Sequence, residues 1–484
     1  MTAEATKAPF GIGTKLSYGI GSVAFGIKDN GFGALLLLFY NQALGLDARL
    51  AGLAIAIALV VDAFVDPMIG YASDRLNSRW GRRHPFMYAA TVPAALSYYF
   101  LFSPPEGLSQ TSLFSYLLIT AILVRVCIAF FEIPNSALIA EFTQNYEERT
   151  SYLNWRVFFG WMAGLTMSVA AFGIFLARGV GTTPGTQIPA NYHLYGVAAA
   201  VIMFAASMAS AFGTHHTIPS LYRPASLQGS QGSYGFFRDV RRTLSSQSAV
   251  IILLTGALVM LALALLGGVT PYIYSYFFGL TPQQISVLYG SAFLSAFAAL
   301  ICTPLLSHWL EKRQALMGVT IAAVLTTPIA AALQLLGLLP PSSSPSLIPI
   351  LFTLGAVGAT FLIIQTTLYY SMTADVVEEN EVKTGRRDEG TFFAANIFVR
   401  KCATGLGILL TSALLALAGF PEKAIPGSVP EPVITLLIKY FIGAFIVLNV
   451  AVIFCAMSFK ITRARHAENL AVIAKRREQG AAAR

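Results

Sequence analysis

The chain has 484 residues, of which 56 % are apolar and 11 % are charged, and its mean hydropathy is +0.66. Ordinary soluble domains carry about 25 % charged residues, so a soluble fold could not bury this much apolar surface. The composition therefore indicates a polytopic membrane protein and excludes disorder, a fibrous fold or a nucleic-acid-binding module as the main architecture. The net charge of +9 fits basic loops that face anionic lipid, so the expected partner is a lipid bilayer and not nucleic acid.

Apolar stretches of about 20 residues, the length at which a helix crosses a bilayer, recur twelve times. They lie near 18–45, 51–73, 86–103, 113–138, 152–177, 192–213, 249–278, 283–309, 315–338, 347–377, 391–419 and 431–459. We predict an all-α polytopic membrane protein with twelve transmembrane helices in two pseudo-repeated six-helix halves. The predicted domains are an N-terminal half over 1–213, a cytoplasmic central loop over 214–248, a C-terminal half over 249–459 and a basic cytoplasmic tail over 460–484.

Basic residues are distributed unevenly between the two sides of these spans. Of the 32 Lys and Arg residues, the loops opposite the termini hold only Arg49, Arg178 and Lys423. The positive-inside rule therefore predicts that both termini are cytoplasmic. Residues 1–15 do not resemble a removable signal peptide, so the first apolar segment is expected to remain as a helix. The four cysteines all lie in apolar stretches, which argues against a disulfide framework.

The two halves echo each other in sequence. The loop after span two reads SDRLNSRWGRRHP and the loop after span eight reads HWLEKRQ, while span four ends in AEFTQNYEERT and span ten in ADVVEENEVKTGRRDEG. Acidic and basic residues thus fall at the same places in each half. A weak internal repeat of six helices is typical of transporter folds.

Ionisable residues inside the spans are the strongest functional signal. Each costs about 2.5–3.5 kcal/mol on insertion scales, so such residues mark functional sites by default. They are Asp29 in span one, Asp62 and Asp66 in span two, Arg125 and Glu132 in span four, Arg156 in span five and Lys401 in span eleven.

Asp62 and Asp66 are four residues apart, so their carboxylates share one helix face. Two acids this close in a low-dielectric setting require a proton or a cation between them, which suits a coupling-ion site for H⁺ or Na⁺. The alternative is that Asp66 is an interfacial helix-end residue paired with Arg75 or Arg79.

The remaining charges admit structural alternatives. Arg125 and Glu132 are seven residues apart on one face and could form a structural salt bridge or contact substrate. Arg156 could pair with any of the acids. Asp29 could form a locally neutral pair with Lys28, and Lys401 adjoins Arg400, so one of the two could snorkel to the interface.

Motifs of other chemistries are missing from the sequence. There is no GxxxxGK[ST] loop of an ATP-driven pump, and the six histidines show no HExxH or Cys/His spacing. We therefore predict a protein that is not an enzyme and that needs no cofactor beyond a coupling ion.

The segments that carry these charges resemble one family. KLSYGIGSVAFGIKDN, DAFVDPMIGYASDRLNSRWGRRHP and EIPNSALIAEFTQNYEERT in the first half, and MTADVVEENEVKTGRRDEG and VRKCATG in the second, are similar to the glycoside–pentoside–hexuronide:cation symporters of the major facilitator superfamily. The similarity covers nearly the whole chain.

The resemblance implies roles for individual residues. It implies that Asp62 and Asp66 bind the coupling cation, and that they are metal ligands only if that cation is Na⁺. It implies that Asp29, Glu132 and Arg156 hold sugar hydroxyls, and that Lys401 couples the two sites. Ala129 stands where the family pattern has a cation-liganding Thr, which favours H⁺ over Na⁺, and Ser136 replaces an expected sugar-stacking Trp. Arg125, in the same span, is a further substrate-binding candidate.

We therefore expect a monomeric transporter of the bacterial inner membrane. It would carry a sugar or glycoside together with H⁺ or Na⁺ by alternating access, with the sugar bound between the halves. Expected cytoplasmic gate residues are Arg79, Arg82 and Arg83 of the RWGRR loop with the acids Glu141 and Asp375, although plain positive-inside orientation also explains the arginines. The rival hypotheses are a cation-coupled transporter of lysolipids or other amphiphiles with the same fold, and a receptor or scaffold that transports nothing.

Overall fold

The computed structural model describes residues 11–76, 78–143, 145–181, 183–221, 246–384, 389–459 and 461–482. Most of the predicted central loop, residues 222–245, lies outside the described residues. The described part of the chain is helical apart from its turns and one isolated bridge between Val180 and Thr183. This confirms the predicted all-α class.

The chain divides into two compact units, Met1–Ser233 and Tyr234–Arg484. The helices of the first unit are α1 (Ile12–Ala43), α2 (Ala48–Arg75), α3 (His84–Leu101), α4 (Gln110–Phe142), α5 (Glu148–Phe175) and α6 (Pro189–His215). The helices of the second unit are α7 (Gln247–Phe277), α8 (Pro282–Trp309), α9 (Lys312–Leu335), α10 (Leu347–Val382), α11 (Phe392–Leu417), α12 (Glu431–Met457) and the tail helix α13 (Arg463–Ala482).

Within the described residues, eleven of the twelve predicted spans form helices that are long and apolar enough to cross a membrane. The predicted third span forms helix α3, which has only 18 residues. It begins with His84 and contains two prolines and three tyrosines, which lower its apolar character. It is packed between α4 and α6 in its unit, and protein contacts therefore cover much of its surface.

The same helix pairs pack together in both units. In the first unit α1 packs on α5, α2 on α4, and α3 on α4 and α6; in the second unit α7 packs on α11, α8 on α10, and α9 on α10 and α12. The pairing therefore repeats with an offset of six helices, as the sequence echo predicts.

Local sequence signals set the helix ends. The carboxylate of Asp47 accepts hydrogen bonds from the amides of Arg49 and Leu50 at the start of α2, satisfying donors that the first turn leaves free. Thr281 and Gln284 form a capping box at the start of α8. Gly81 has φ of +73° in the RWGRR turn, a left-handed conformation that glycine adopts without strain.

Helix α1 is irregular where charged residues occur. Its α-helical segment Ser22–Asn30 is followed directly by a π-helical turn at Gly31–Leu35. A second π-helical turn follows at Phe39–Ala43. Such turns insert a residue into the helix and are frequent at functional sites. Lys28 and Asp29 lie in the last turn before the first of them.

Small residues bring α1 and α5 close together. A Cβ atom added to Gly26 would lie 1.9 Å from the carbonyl oxygen of Gly160, so only glycine fits at this crossing. A Cβ atom on Gly164 would lie 2.3 Å from Asn30. Close approach through small residues is a common way to pack membrane helices, and here it places the charged turn of α1 against α5.

The tail helix α13 is docked on the second unit. The Arg463 guanidinium donates to the carbonyl oxygens of Ser307, His308 and Leu310 at the end of α8. Asn469 of the tail is buried. Within the described residues, the predicted basic tail therefore forms the helix Arg463–Ala482, which packs on the second unit.

Candidate functional site

A row of six charged side chains runs through the interior of the first unit. Acidic and basic groups alternate along it, and neighbouring groups are separated by 3.0 to 3.9 Å between nitrogen and oxygen. The order is Asp62, Arg125, Asp29, Lys28, Glu132 and Arg156. Each inner charge has opposite charges on both sides, which offsets the cost of removing it from water.

Asp62 of α2 and Arg125 of α4 form the most buried end of the row. Arg125 Nη1 donates to Asp62 Oδ2 at 3.0 Å, and the two side chains are 4 % and 1 % exposed. The guanidinium carbon lies 4.3 Å from the ring centroid of Phe32, a cation–π contact from α1. Arg125 is thus enclosed by two carboxylates and an aromatic ring, since Asp29 lies 3.9 Å away.

Lys28 lies between two acids in the middle of the row. Its Nζ is 3.3 Å from Asp29 Oδ1 and 3.7 Å from Glu132 Oε2, and the side chain is 1 % exposed. Its Nζ also lies 4.6 Å from the ring centroid of Phe25. Asp29, in contrast, is 45 % exposed, so its carboxylate remains accessible to a solute.

Glu132 of α4 and Arg156 of α5 form the other end. Arg156 Nη2 lies 3.5 Å from Glu132 Oε1, and both side chains are partly buried. The backbone carbonyl of Arg156 accepts a hydrogen bond from Ser22 of α1, which ties α5 to the charged helix. The row therefore connects four helices of one unit.

Asp66 lies one turn beyond Asp62 on α2 and is partly buried. The helix runs without interruption through Pro67, which has no amide hydrogen to donate to the carbonyl of Ala63. Among the described residues no group of three or more His, Cys, Asp or Glu could hold a metal ion. The assignment of Asp62 and Asp66 to the coupling cation stays a prediction.

These contacts identify partners that the sequence left open. Arg125 forms its ion pair with Asp62, and Glu132 pairs with Arg156 and Lys28, while a substrate contact for either residue stays a prediction. The Lys28–Asp29 pair is present, but Lys28 also contacts Glu132, and Lys28 was not among the predicted site residues. Its position beside Asp29 inside a span was the available signal.

The predicted coupling residue Lys401 lies on α11 of the second unit and is partly buried. Its neighbour Arg400 has Nη2 3.6 Å from the sulfur of Met260, and its guanidinium carbon is 4.8 Å from the ring centroid of Tyr370. The coupling role of Lys401 stays a prediction.

The predicted gate arginines pair within their own unit. Glu141 Oε1 accepts hydrogen bonds from Arg82 Nε at 2.7 Å and Arg83 Nε at 3.1 Å, and Arg83 also pairs with Asp74. Arg79 has its guanidinium carbon 5.4 Å from the Trp80 ring centroid.

The remaining gate candidate, Asp375 in the second unit, accepts hydrogen bonds from Lys312 at 2.7 and 2.8 Å. Each unit therefore pairs a basic residue at or before the start of its third helix with an acid late in its fourth. A gate function for these residues stays a prediction.

Comparison with known proteins shows the family. Residues 17–463 match the family model described as MFS/sugar transport protein. The chain is 26 % identical to an uncharacterized symporter of Synechocystis sp., over 87 % of this chain and 88 % of that protein. It is 24 % identical to the isoprimeverose transporter of Lactiplantibacillus pentosus, over 84 % of this chain and 80 % of that protein.

A solved structure shares the fold. The inward-open xylose transporter XylE from E. coli covers 93 % of this chain and 96 % of its own, with a TM-score of 0.60 and 12 % identity. Helix content, the repeated helix pairing and the family match agree with one another. The chain is a multi-pass membrane protein of the major facilitator fold, a transporter and not an enzyme, and it belongs to the MFS/sugar transport protein family.

Proposed function

We propose that this chain carries a sugar or glycoside together with a cation, H⁺ or Na⁺, by alternating access. The observation that carries the proposal is the row of six alternating charges on four helices of the first unit. Charged groups are costly at membrane depth, and a row this long is expected where a polar solute must be held. The symporter and the sugar transporter among the relatives support the same activity.

The sugar would be held by the more exposed residues of the row. Carboxylates accept hydrogen bonds from hydroxyl groups, and a guanidinium donates two in a fixed geometry, so Asp29, Glu132 and Arg156 suit vicinal hydroxyls. The Lys28 Nζ lies 3.3 Å from Asp29 Oδ1 and 3.7 Å from Glu132 Oε2, and it thereby holds both carboxylates in place. Arg125 would support Asp29 from the buried side.

Formal charge supports a coupled cation. Together with Asp66, the row contains four carboxylates against three basic side chains, which leaves one negative charge when all are ionised. A bound cation or proton makes the set neutral and lowers the cost of holding it at membrane depth. Lys401 is the coupling residue of this proposal.

The proposal includes a monomer in the bacterial inner membrane with both termini cytoplasmic. The RWGRR arginines Arg79, Arg82 and Arg83, with Glu141 and Asp375, would then stabilise the cytoplasmic face when it is closed. Basic residues on that side agree with the positive-inside rule.

The test is charge movement in proteoliposomes on a solid-supported membrane. We would pulse glycosides, pentoses and uronic acids with and without Na⁺ at several pH values, using the wild type and Glu132→Gln. A sugar-dependent current in the wild type that is lost in Glu132→Gln is expected. No current with any sugar, together with uptake of a lysolipid, would overturn the sugar assignment.

A further inference from the structure

The Asp62 carboxylate is paired with a positive charge that the chain itself supplies, the guanidinium of Arg125. Arg125 Nη1 is 3.0 Å from Asp62 Oδ2, and neither side chain is more than 4 % exposed. A guanidinium stays protonated at any pH the protein experiences. The charge on Asp62 is therefore compensated before any solute ion arrives.

The surroundings of Arg125 hold its guanidinium in this position. Phe32 covers one face at 4.3 Å, and Asp29 lies 3.9 Å from the same nitrogen that contacts Asp62. A metal ion that took Asp62 Oδ2 as a ligand would compete with this guanidinium for the same oxygen. Displacement would leave a buried arginine without its closest counter-ion, which is strongly unfavourable.

The side chain one helical turn after Arg125 adds no oxygen ligand. One helical turn after Arg125, α4 carries Ala129, which offers a methyl group and no hydroxyl oxygen. Alkali ions in transporters are held by several oxygens, including backbone carbonyls. Asp62 with Arg125 beside it presents a neutral pair instead of an anionic ligand.

We propose that Arg125 is the resident cation of the Asp62 position and determines ion specificity by keeping Na⁺ out. The inference rests on the proposed symport function, because it states which ion that symport does not use. It predicts sugar transport that is independent of Na⁺. It also predicts that removing the guanidinium leaves the two carboxylates that it contacts, Asp62 and Asp29, as anionic ligands for Na⁺.

The first measurement is binding of radioactive Na⁺ to the purified full chain, without any sugar. We expect no saturable binding to the wild type over the millimolar range. Arg125→Met keeps a long side chain without the charge, and it should bind Na⁺ saturably in the same concentration range. Arg400→Met is the matched control, since it removes another arginine from a span without touching Asp62, and it should bind no Na⁺.

A second variant controls for folding. Asp62→Asn/Arg125→Met removes both charges together, so it should fold as the wild type does and should bind no Na⁺. Two results would overturn the inference: saturable Na⁺ binding by the wild type that Asp62→Asn abolishes, or a folded Arg125→Met that binds no Na⁺. If Arg125→Met does not fold, the Na⁺ binding measured on the wild type still decides whether Asp62 binds Na⁺ or is paired with the Arg125 guanidinium alone.

Sugar currents are then recorded with Na⁺ replaced by choline. Unchanged currents support the inference, and currents that require Na⁺ contradict it. A chain that moves no sugar under any condition would refute the proposed function, whereas the Na⁺ binding result would stand on its own.

Discussion

The equivalent helices of the two units are held together by different chemistry. In the first unit α1, α2, α4 and α5 are connected by the row of six charges. In the second unit several contacts between the corresponding helices are neutral, although the Arg400 guanidinium of α11 also contacts Met260 of α7 and Tyr370 of α10. Ser295 of α8 donates to the carbonyl of Ala356 of α10 at 2.9 Å, Asn396 of α11 donates to Tyr369 of α10, and Thr411 of α11 donates to the carbonyl of Leu265 of α7.

This difference helps to distinguish contacts that serve helix packing from contacts that serve binding. The second unit shows the same helix pairing, and hydroxyl and amide groups contribute to its contacts. The shared pairing alone therefore does not account for the row of six charges in the first unit. Four substitutions would break or sharpen this comparison.

The largest effect is expected for Lys28→Met. The change leaves Asp29 and Glu132 facing each other without the base between them, and breaking a buried ion pair typically costs about 3–5 kcal/mol. Thermal unfolding in detergent would measure the loss. Lys28→Met/Glu132→Gln removes one acid as well and should recover part of the stability; a double variant no more stable than Lys28→Met would contradict the role given to Lys28.

A substitution at the most exposed residue of the row should weaken sugar binding more than it lowers stability. Asp29→Asn replaces a charged hydrogen-bond acceptor, and such bonds are worth about 1.5–3 kcal/mol, so sugar affinity should fall by about 10- to 100-fold. Equilibrium binding of the sugar identified in the current measurements would test this. Thr411→Val in the second unit is the control and should leave affinity unchanged; equal losses in both variants would argue against a charge-based site.

Close packing of α1 on α5 should be sensitive to a single methyl group. Gly26→Ala places a Cβ atom 1.9 Å from the Gly160 carbonyl oxygen, so the helices must separate, at a cost of about 1–3 kcal/mol. Unfolding temperatures would report the effect. Gly443→Ala in α12 meets nothing within 4 Å and should be neutral. A tolerated Gly26→Ala would show that this crossing is looser than the structure indicates.

The smallest effect is expected for Lys312→Ala. Its ion pair with Asp375 is similar to that of Arg82 with Glu141, but Lys312 is 32 % exposed and water screens the attraction. Pairs of this kind contribute about 0.2–1 kcal/mol. Chemical unfolding should show a small loss, and a larger one for Arg82→Ala. The reverse order would mean that burial does not distinguish the two pairs.

The sequence predicted the helices because bilayer thickness sets the length of an apolar segment. It predicted the six-helix repeat because acidic and basic residues recur at the same places in each half. Span two was expected at 51–73 and forms Ala48–Arg75. The composition of α3 shows the limit of this reasoning, since its histidine and tyrosines are tolerated through packing between neighbouring helices, which a composition count does not register.

The charged residues were identified from the sequence, but their partners were not. Spacing along one helix shows that Arg125 and Glu132 share a face, yet the rotation of α4 against α2 and α5 decides which acid each basic group meets. Arg125 reaches Asp62 and Arg156 reaches Glu132 as a result. Lys28 was not predicted as a site residue because its second contact is with Glu132, which lies 104 positions later in the chain and on another helix.

The docked tail has a practical consequence for handling the protein. Arg463 caps three carbonyl groups at the end of α8, and Ile473 packs into the same unit as a buried side chain. A chain shortened before residue 463 would expose the surface under Ile473 and leave those carbonyls without their guanidinium donor. Purification tags and fluorescent fusions therefore belong after residue 484, and a tail deleted to aid crystallisation would remove part of the folded unit.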